Sequence, residues 1–196
     1  MRDFVEGQVP AMLLQSILLV SGRFLPSAAA DNLDGGEDLA KLASDLKAGI
    51  MADTDRFSIV KLAVLLNIRI HEQNSGRHGS AWLLVSLITR MAYGMGLNTA
   101  RLDLPSAETE VRGRLMWAAH AADSQAAGGV LEYTLTDRRT LTIPLPVSEK
   151  AFALGLSCRG PMLENVELNP APGLETAEGV ASRYIRIIAL RNDILR

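Results

Sequence analysis

The chain has 196 residues, of which 48% are hydrophobic and 21% are charged, a composition typical of one globular domain with a sizeable core. The 20 Lys and Arg residues against 22 Asp and Glu residues give a formal net charge of −2, which excludes a basic surface over the whole domain for nucleic acid. Cys158 is the single cysteine, which excludes a disulfide framework and a multi-cysteine zinc site within these residues.

An apolar stretch at residues 11–20 precedes the three alanines at 28–30, and together they have the outline of a signal peptide. The charges argue against that interpretation, because Asp3 and Glu6 lie where a signal peptide carries positive charge. We expect instead a buried helix that begins near Pro10, since proline is compatible with the first turn of a helix. No apolar run reaches the roughly 18 residues of a membrane span, so no membrane partner is expected.

Apolar residues recur at helical spacing through most of the chain. They predict helices at about residues 10–24, 37–52, 58–73, 79–95, 106–127 and 177–196. A short helical turn is expected after Ser148, and a long loop at about residues 157–176. Because no sheet pattern is convincing, the predicted class is all-α: an irregular bundle of five or more helices, forming one domain over residues 1–196.

The fourth and fifth predicted helices carry the clearest signals. The fourth is apolar almost all round, which is typical of a core helix, and Gly96 follows it where a left-handed cap is favoured. Ser106 is a plausible N-cap for the fifth helix.

Two ion pairs are expected on the fifth helix. Glu108 and Arg112 form one pair at a spacing of four residues, and Glu110 and Arg114 form the other. In both pairs the acidic residue precedes the basic one, which is the favourable orientation in a helix.

His120 and Asp123 are the candidate catalytic residues, because a spacing of three places them on one face of a helix. Ser124 points about 100° away from Asp123 around the helix, and no nucleophile elbow precedes it. We therefore expect a partly buried histidine hydrogen-bonded to the aspartate. A helical ligand-binding or enzyme domain that uses both residues is kept as an alternative, and Cys158 is expected to be passive.

The last predicted helix is basic, with Arg183, Arg186, Arg191 and Arg196. A solvated face above packed apolar residues explains this pattern better than contact with phosphates. A helical protein-interaction scaffold with exposed apolar faces is the second alternative.

The order of three segments says more than any one of them. Residues 81–98 read AWLLVSLITRMAYGMGLN, residues 108–117 read ETEVRGRLMW and residues 143–146 read IPLP, with Asp123 before the last. This series resembles the regulatory (middle homology) domain of fungal zinc-binuclear-cluster transcription factors, over most of the chain. That family has an A-W helix with a later Arg and Gly-Leu, then E-x-E-x-R-R-R-x-x-W, Asp-Arg and Leu-Pro.

Three positions depart from the pattern of that family. Gly113 replaces the middle arginine, Met116 replaces an aromatic residue, and Ser124 stands where an arginine follows the aspartate. The departures imply a divergent member with the same fold.

The resemblance implies structural roles for ten positions: Trp82, Arg90, Gly96, Leu97, Glu110, Arg114, Trp117, Asp123, Leu145 and Pro146. The two tryptophans, the two arginines and Asp123 are expected inside, as packing and ion-pair residues. Since an unpaired buried charge is costly, a buried Arg90 or Arg114 needs Glu110 or Asp123 as its partner.

The resemblance also implies a function that is not enzymatic. It predicts a nuclear regulatory domain that modulates transcription by RNA polymerase II, with other transcription-factor domains, co-regulators or a small-molecule effector as partners. In the family, zinc belongs to an N-terminal cluster of six cysteines, so no cofactor and no direct DNA binding are expected of this chain. Because the family's domain continues beyond the helix that contains Arg196, we expect a shortened version of a larger helical domain.

Overall fold

The structure is a computed structural model that describes residues 9–24, 35–101, 103–156, 160–164 and 178–195. Within those ranges the chain forms helices, turns and two isolated bridges but no strand, which confirms the all-α class. The seven α-helices are α1 (Ala11–Ser21), α2 (Gly35–Met51), α3 (Ile59–Asn74), α4 (His78–Gly94), α5 (Ser106–Ala127), α6 (Glu149–Ala153) and α7 (Val180–Ile194). Cys158 and most of the predicted loop at 157–176 lie outside the described residues.

The chain divides into two compact units, Met1–Ile88 and Thr89–Arg196, and α4 runs from the first into the second. In the first unit, α1, α2 and α3 contact one another. The core there consists of buried aliphatic side chains, among them Leu19, Ala43, Leu46, Ile50, Leu62, Leu65 and Ile68. None of the described helices combines the length and the apolar character that crossing a membrane requires.

Polar side chains join the helices of the first unit at two places. Ser16, which interrupts the apolar run of α1, is fully buried, donates to the carbonyl of Leu13 at 2.8 Å and accepts from Asn67 Nδ2 at 3.0 Å. Lys61 Nζ reaches Asp53 Oδ2 at 2.7 Å across the turn between α2 and α3. Ser58 caps α3, because its Oγ accepts the N–H of Lys61 at 3.1 Å.

Glu72, on α3, is a fully buried carboxylate with two cationic partners. Its oxygens accept from Arg77 Nε at 2.9 Å and from Lys47 Nζ at 3.2 Å, and both cations remain partly exposed. Burial opposes the charged form, but hydrogen bonds from Arg77, Ser80 and Lys47 outweigh it and hold the pKa of Glu72 at about 2. A buried carboxylate is tolerated here because its partners keep water contact while they neutralise it.

The second unit is built around α5, against which α7 packs. Gly96, with φ of 63°, ends α4 in a left-handed turn: its N–H donates to the carbonyl of Tyr93 at 2.9 Å, and the N–H of Leu97 donates to that of Ala92 at 3.1 Å. Buried side chains of this unit include Met91, Leu97, Met116, Trp117, Leu141, Ile143, Leu145, Val147, Ile185 and Ile188.

Two expectations about helix ends and faces were wrong. Pro105, not Ser106, occupies the N-cap position of α5, and it supplies no side-chain hydrogen bond. The helix α4 is not a core helix on all sides, because Trp82 is 49% exposed and Leu83 is 65% exposed. Apolar composition alone did not reveal which part of α4 faces the solvent.

Replacing Glu72 by glutamine tests the buried ion cluster. Glu72→Gln is expected to lower the free energy of unfolding at neutral pH by about 3 kcal/mol, since it removes the charge that Arg77 and Lys47 share. Because folding lowers the pKa of Glu72, its stabilising effect is fully present above pH 4.5, the ordinary pKa of a glutamate. The effect is lost as the pH falls from 4.5 to about 2. Urea unfolding at several pH values should show the two proteins converge in that interval.

The exposed Glu37 on α2 provides the control for this experiment. Glu37→Gln is expected to change the free energy of unfolding by less than about 0.5 kcal/mol. An equally small effect of Glu72→Gln at neutral pH would contradict the stabilising role of the cluster.

Candidate functional site

Three side chains of α5 lie on one face of the helix and hold the proline-containing segment at residues 143–147, which follows the 3-10 turn Arg138–Thr140. Glu110, Arg114 and Trp117 are spaced by four and three residues, which aligns them along the helix. Arg114 Nε donates to Glu110 Oε1 at 2.8 Å, so the expected ion pair forms, and both side chains are mostly buried. The other expected pair, Glu108 with Arg112, does not form, and Arg112 donates to the carbonyl of Met95 at 2.8 Å.

The ion pair binds both backbone groups of Val147. Glu110 Oε1 accepts the N–H of Val147 at 3.0 Å, and Arg114 Nη2 donates to its carbonyl at 2.6 Å. The guanidinium carbon of Arg114 also lies 4.6 Å from the ring centroid of Phe152, a cation–π contact. We call Glu110, Arg114 and Trp117 the α5 clamp.

Trp117 holds the same segment three residues earlier. Its indole Nε1 donates to the carbonyl of Pro144 at 2.7 Å, and the ring is 1% exposed. Leu145 and Pro146 are buried, and the N–H of Leu145 donates to the carbonyl of Pro161 at 2.8 Å. Proline has no N–H and interrupts regular secondary structure. The carbonyls of Pro144 and Val147 therefore accept from the side chains of Trp117 and Arg114 instead of from a backbone ladder.

Glu149, just after the clamped segment, caps the last helix. Its carboxylate oxygens accept the N–H groups of Val180 and Ala181, each at 3.1 Å, at the first turn of α7. Hydrogen bonds from its own N–H and from those of Ala181 and Val180 lower the pKa of Glu149. A carboxylate at this place accepts from amides that have no partner within the helix, and its negative charge interacts favourably with the positive end of the helix dipole.

His120 and Asp123 form a second polar cluster, joined by a threonine. Thr136 Oγ1 donates to Asp123 Oδ2 at 2.6 Å and lies 2.8 Å from His120 Nδ1. The hydroxyl of Thr136 donates its one proton to the carboxylate, so it can only accept from His120. The Nδ1 of His120 therefore carries a proton and donates to Thr136 Oγ1. Asp123 also accepts the backbone N–H groups of Leu135 and Thr136, at 2.9 and 2.7 Å.

Burial sets the charge states of this cluster. Loss of water, and then the positive charge of Arg138, lower the pKa of His120 to about 4, so the ring is neutral at neutral pH. Burial raises the pKa of Asp123, while the hydrogen bonds from Thr136 and Leu135 oppose the rise. Trp117 packs against the His120 ring edge to face, with centroids 5.8 Å apart.

This geometry corrects several expectations from the sequence. His120 and Asp123 do not bond directly but through Thr136, and the buried Ser124 Oγ has no hydrogen-bond partner among the described residues. The cluster therefore lacks the serine–histidine pair that a serine hydrolase uses. Arg90 is exposed rather than internal, so it needs no buried carboxylate, and Trp82 is half exposed.

No group of three or more His, Cys, Asp or Glu residues within the described ranges is arranged to hold a metal ion. On α7, Arg186 pairs with Glu178 at 2.6 Å, while Ile187, Leu190 and Ile194 are exposed.

Comparison with known proteins gives the family. The family model described as the fungal specific transcription factor domain matches residues 4–152. The chain belongs to this family. The α5 clamp and the segment it holds lie within the matched residues.

Relatives of this fungal transcription factor domain include proteins of two fungi. A Zn(2)-C6 fungal-type transcription factor, FTF1c, of Fusarium oxysporum f. sp. lycopersici is 29% identical over 97% of this chain and 22% of its own length. FTF2 of the same organism is 29% identical over 74% of this chain and 15% of its own length. An uncharacterized transcriptional regulatory protein of Schizosaccharomyces pombe is 27% identical over 94% of this chain and 21% of its own length.

The domain spans about a fifth of the length of these longer relatives. No solved structure matches the chain. By their names, the relatives are transcription factors or regulators, which are not a class of enzymes.

Sequence reasoning missed three contacts of this fungal domain. Nothing near Thr136 or Glu149 in sequence indicates the groups that they bind, which are 13 and more than 30 residues away. Glu72 and Arg77 are separated by five residues, a spacing that does not align side chains on one helix. Only the Glu110–Arg114 spacing was a usable signal.

Trp117→Phe tests the clamp without emptying the core. It keeps most of the ring but removes the donor to Pro144, so the free energy of unfolding should fall by about 1–3 kcal/mol because a buried carbonyl loses its partner. Trp82→Phe, on the half-exposed tryptophan, is the matched control and should change it by less than about 0.5 kcal/mol. Equal effects in urea unfolding would show that the indole bond adds nothing.

His120→Gln tests the neutral buried ring by its pH dependence. The pKa of His120 is about 4 in the folded chain, below its ordinary value of 6.5. As the pH falls from 6.5 to 4, the unfolded chain takes up a proton that the folded chain does not, so the free energy of unfolding of the wild type should fall by about 3 kcal/mol. His120→Gln should lack this dependence of stability on pH. His78→Gln, which replaces an exposed histidine, should keep it. Parallel stability curves for wild type and His120→Gln would contradict the assignment.

Proposed function

We propose that this chain is the regulatory domain of a fungal transcription factor and that it modulates transcription by RNA polymerase II in the nucleus. The observation that carries the proposal is the match of residues 4–152 to the fungal specific transcription factor domain. The names of the relatives support it, since they are fungal transcription factors and a transcriptional regulatory protein.

The use of polar groups within the second unit supports a role without catalysis. Glu110, Arg114 and Trp117 direct their hydrogen bonds to the backbone of their own chain. His120 and Asp123 are buried and bonded to Thr136, so neither is placed to exchange a proton with a substrate. We infer that these groups hold the fold and that the domain acts through binding.

We also propose that this chain neither holds zinc nor contacts DNA by itself. The net charge of −2 supports this, because proteins bind DNA largely through clustered positive charge. The single cysteine supports it as well, since a cluster of two zinc ions needs several thiolates. The partners are then other domains of a transcription factor, co-regulators or a small-molecule effector.

A tethering experiment in yeast tests the function. The chain is fused to a bacterial DNA-binding domain, with and without an acidic activation domain, and the output of a reporter with matching sites is measured. A regulatory domain should raise the output of the first fusion or lower that of the second, relative to fusions that lack it. The chain without the DNA-binding domain should leave the reporter unchanged, since no DNA contact of its own is expected.

Reporter output that is the same with and without the chain in both fusions, at equal protein levels, would contradict the proposed function. A response of the reporter to the untethered chain would contradict the absence of DNA binding.

A further inference from the structure

A cavity of about 290 Å³ lies beside the first turns of α5, wholly within the second unit. Its apolar wall includes Leu97, Leu104 and Ile143, and its polar wall includes Thr109 and Arg112. This volume is close to the lower end of the roughly 300–1,000 Å³ range of small-molecule sites, and such sites combine an apolar lining with few polar groups in the same way.

Arg112 is the cation of this wall whose charge is not matched by a carboxylate. It is half-buried, donates one Nη2 bond to the carbonyl of Met95 at 2.8 Å, and forms no ion pair with any described residue. A guanidinium has five N–H donors, so most of those on Arg112 are available. A half-buried cation with free donors favours an anionic partner.

Two acidic groups in this region are already engaged by other arginines. Asp103 pairs with Arg101 at 2.7 Å, and Glu110, which also lines the cavity, pairs with Arg114 at 2.8 Å. Both carboxylates are therefore held by other arginines, and Glu108, one helical turn before Arg112, forms no ion pair with it.

Gly113 keeps the cavity open. It lies in the interior of α5 and lines the cavity, and a Cβ atom at this position would meet no atom within 4 Å. Glycine in a helix interior costs about 1 kcal/mol relative to alanine, and packing does not explain its presence here. The missing side chain leaves room for a ligand next to Arg112.

We propose that this cavity binds a small organic anion, with a carboxylate on Arg112 and an apolar body against Leu104 and Pro144. Arg112 supplies a charged, geometrically directed donor, and the aliphatic wall supplies the area that an apolar body needs to leave water. That such a ligand regulates transcription rests on the function proposed above, whereas occupancy of the cavity does not.

Titration of the 196-residue chain with benzoate, followed by ligand-observed NMR, tests the site. Gly113→Leu should fill the cavity and weaken benzoate binding by about tenfold or more. Gly49→Leu is the matched control, because Gly49 is also an open position in a helix interior, in the first unit. It should leave binding unchanged, and both variants should keep the melting temperature or raise it, since leucine favours helix.

Two further variants separate charge from space. Arg112→Met should weaken benzoate about tenfold while leaving the neutral benzyl alcohol unaffected, and Arg112→Lys should retain part of the benzoate affinity. The absence of saturable benzoate binding to the wild type would overturn the proposal, as would benzoate binding that Gly113→Leu leaves unchanged. Either result leaves the tethering experiment intact, so the two proposals fail separately.

Discussion

The ion pair of Glu110 and Arg114 holds the N–H and the carbonyl of Val147, and the C-terminal part of the second unit depends on this contact. The segment before Val147 contains two prolines and cannot form a helix or a central strand of its own. Its backbone is buried nevertheless, because α5 supplies donors and an acceptor that match it. Ser148 then caps α6, and Glu149 caps α7. One face of α5 thus holds the segment directly before the two residues that cap later helices.

Buried charge is treated in two different ways in the two units. Glu72 remains ionised because Arg77 and Lys47 neutralise it while they stay in contact with water. His120 is neutral at neutral pH, because burial lowers its pKa, and its Nδ1–H donates a hydrogen bond to Thr136 Oγ1. Both arrangements use ionisable side chains for packing, which agrees with a domain that works through binding.

The clamp and the proposed ligand site share one helix and one segment. Arg112 and Gly113 lie between Glu110 and Arg114 along α5, and Pro144 and Pro146 form part of the cavity wall. A ligand on Arg112 would therefore contact the segment that Trp117 and the ion pair hold. Because the clamp bonds that segment to α5, a bound anion is placed to stabilise the same arrangement.

Local patterns in the sequence predicted the helices, the short helix after Ser148, the turn at Gly96 and the Glu110–Arg114 pair, because each depends on residues within about five positions of one another. The exposure of Trp82 and Arg90, the link through Thr136 and the cap that Glu149 provides depend on chain segments that are distant in sequence. Bringing such segments together is decided by packing and by the pairing of buried backbone groups, for which no fixed spacing exists. The sequence by itself determined an all-α domain and its family resemblance. Only the tertiary structure decided which buried polar groups form hydrogen bonds within the chain. It also decided that Arg112 and Gly113 border an open cavity.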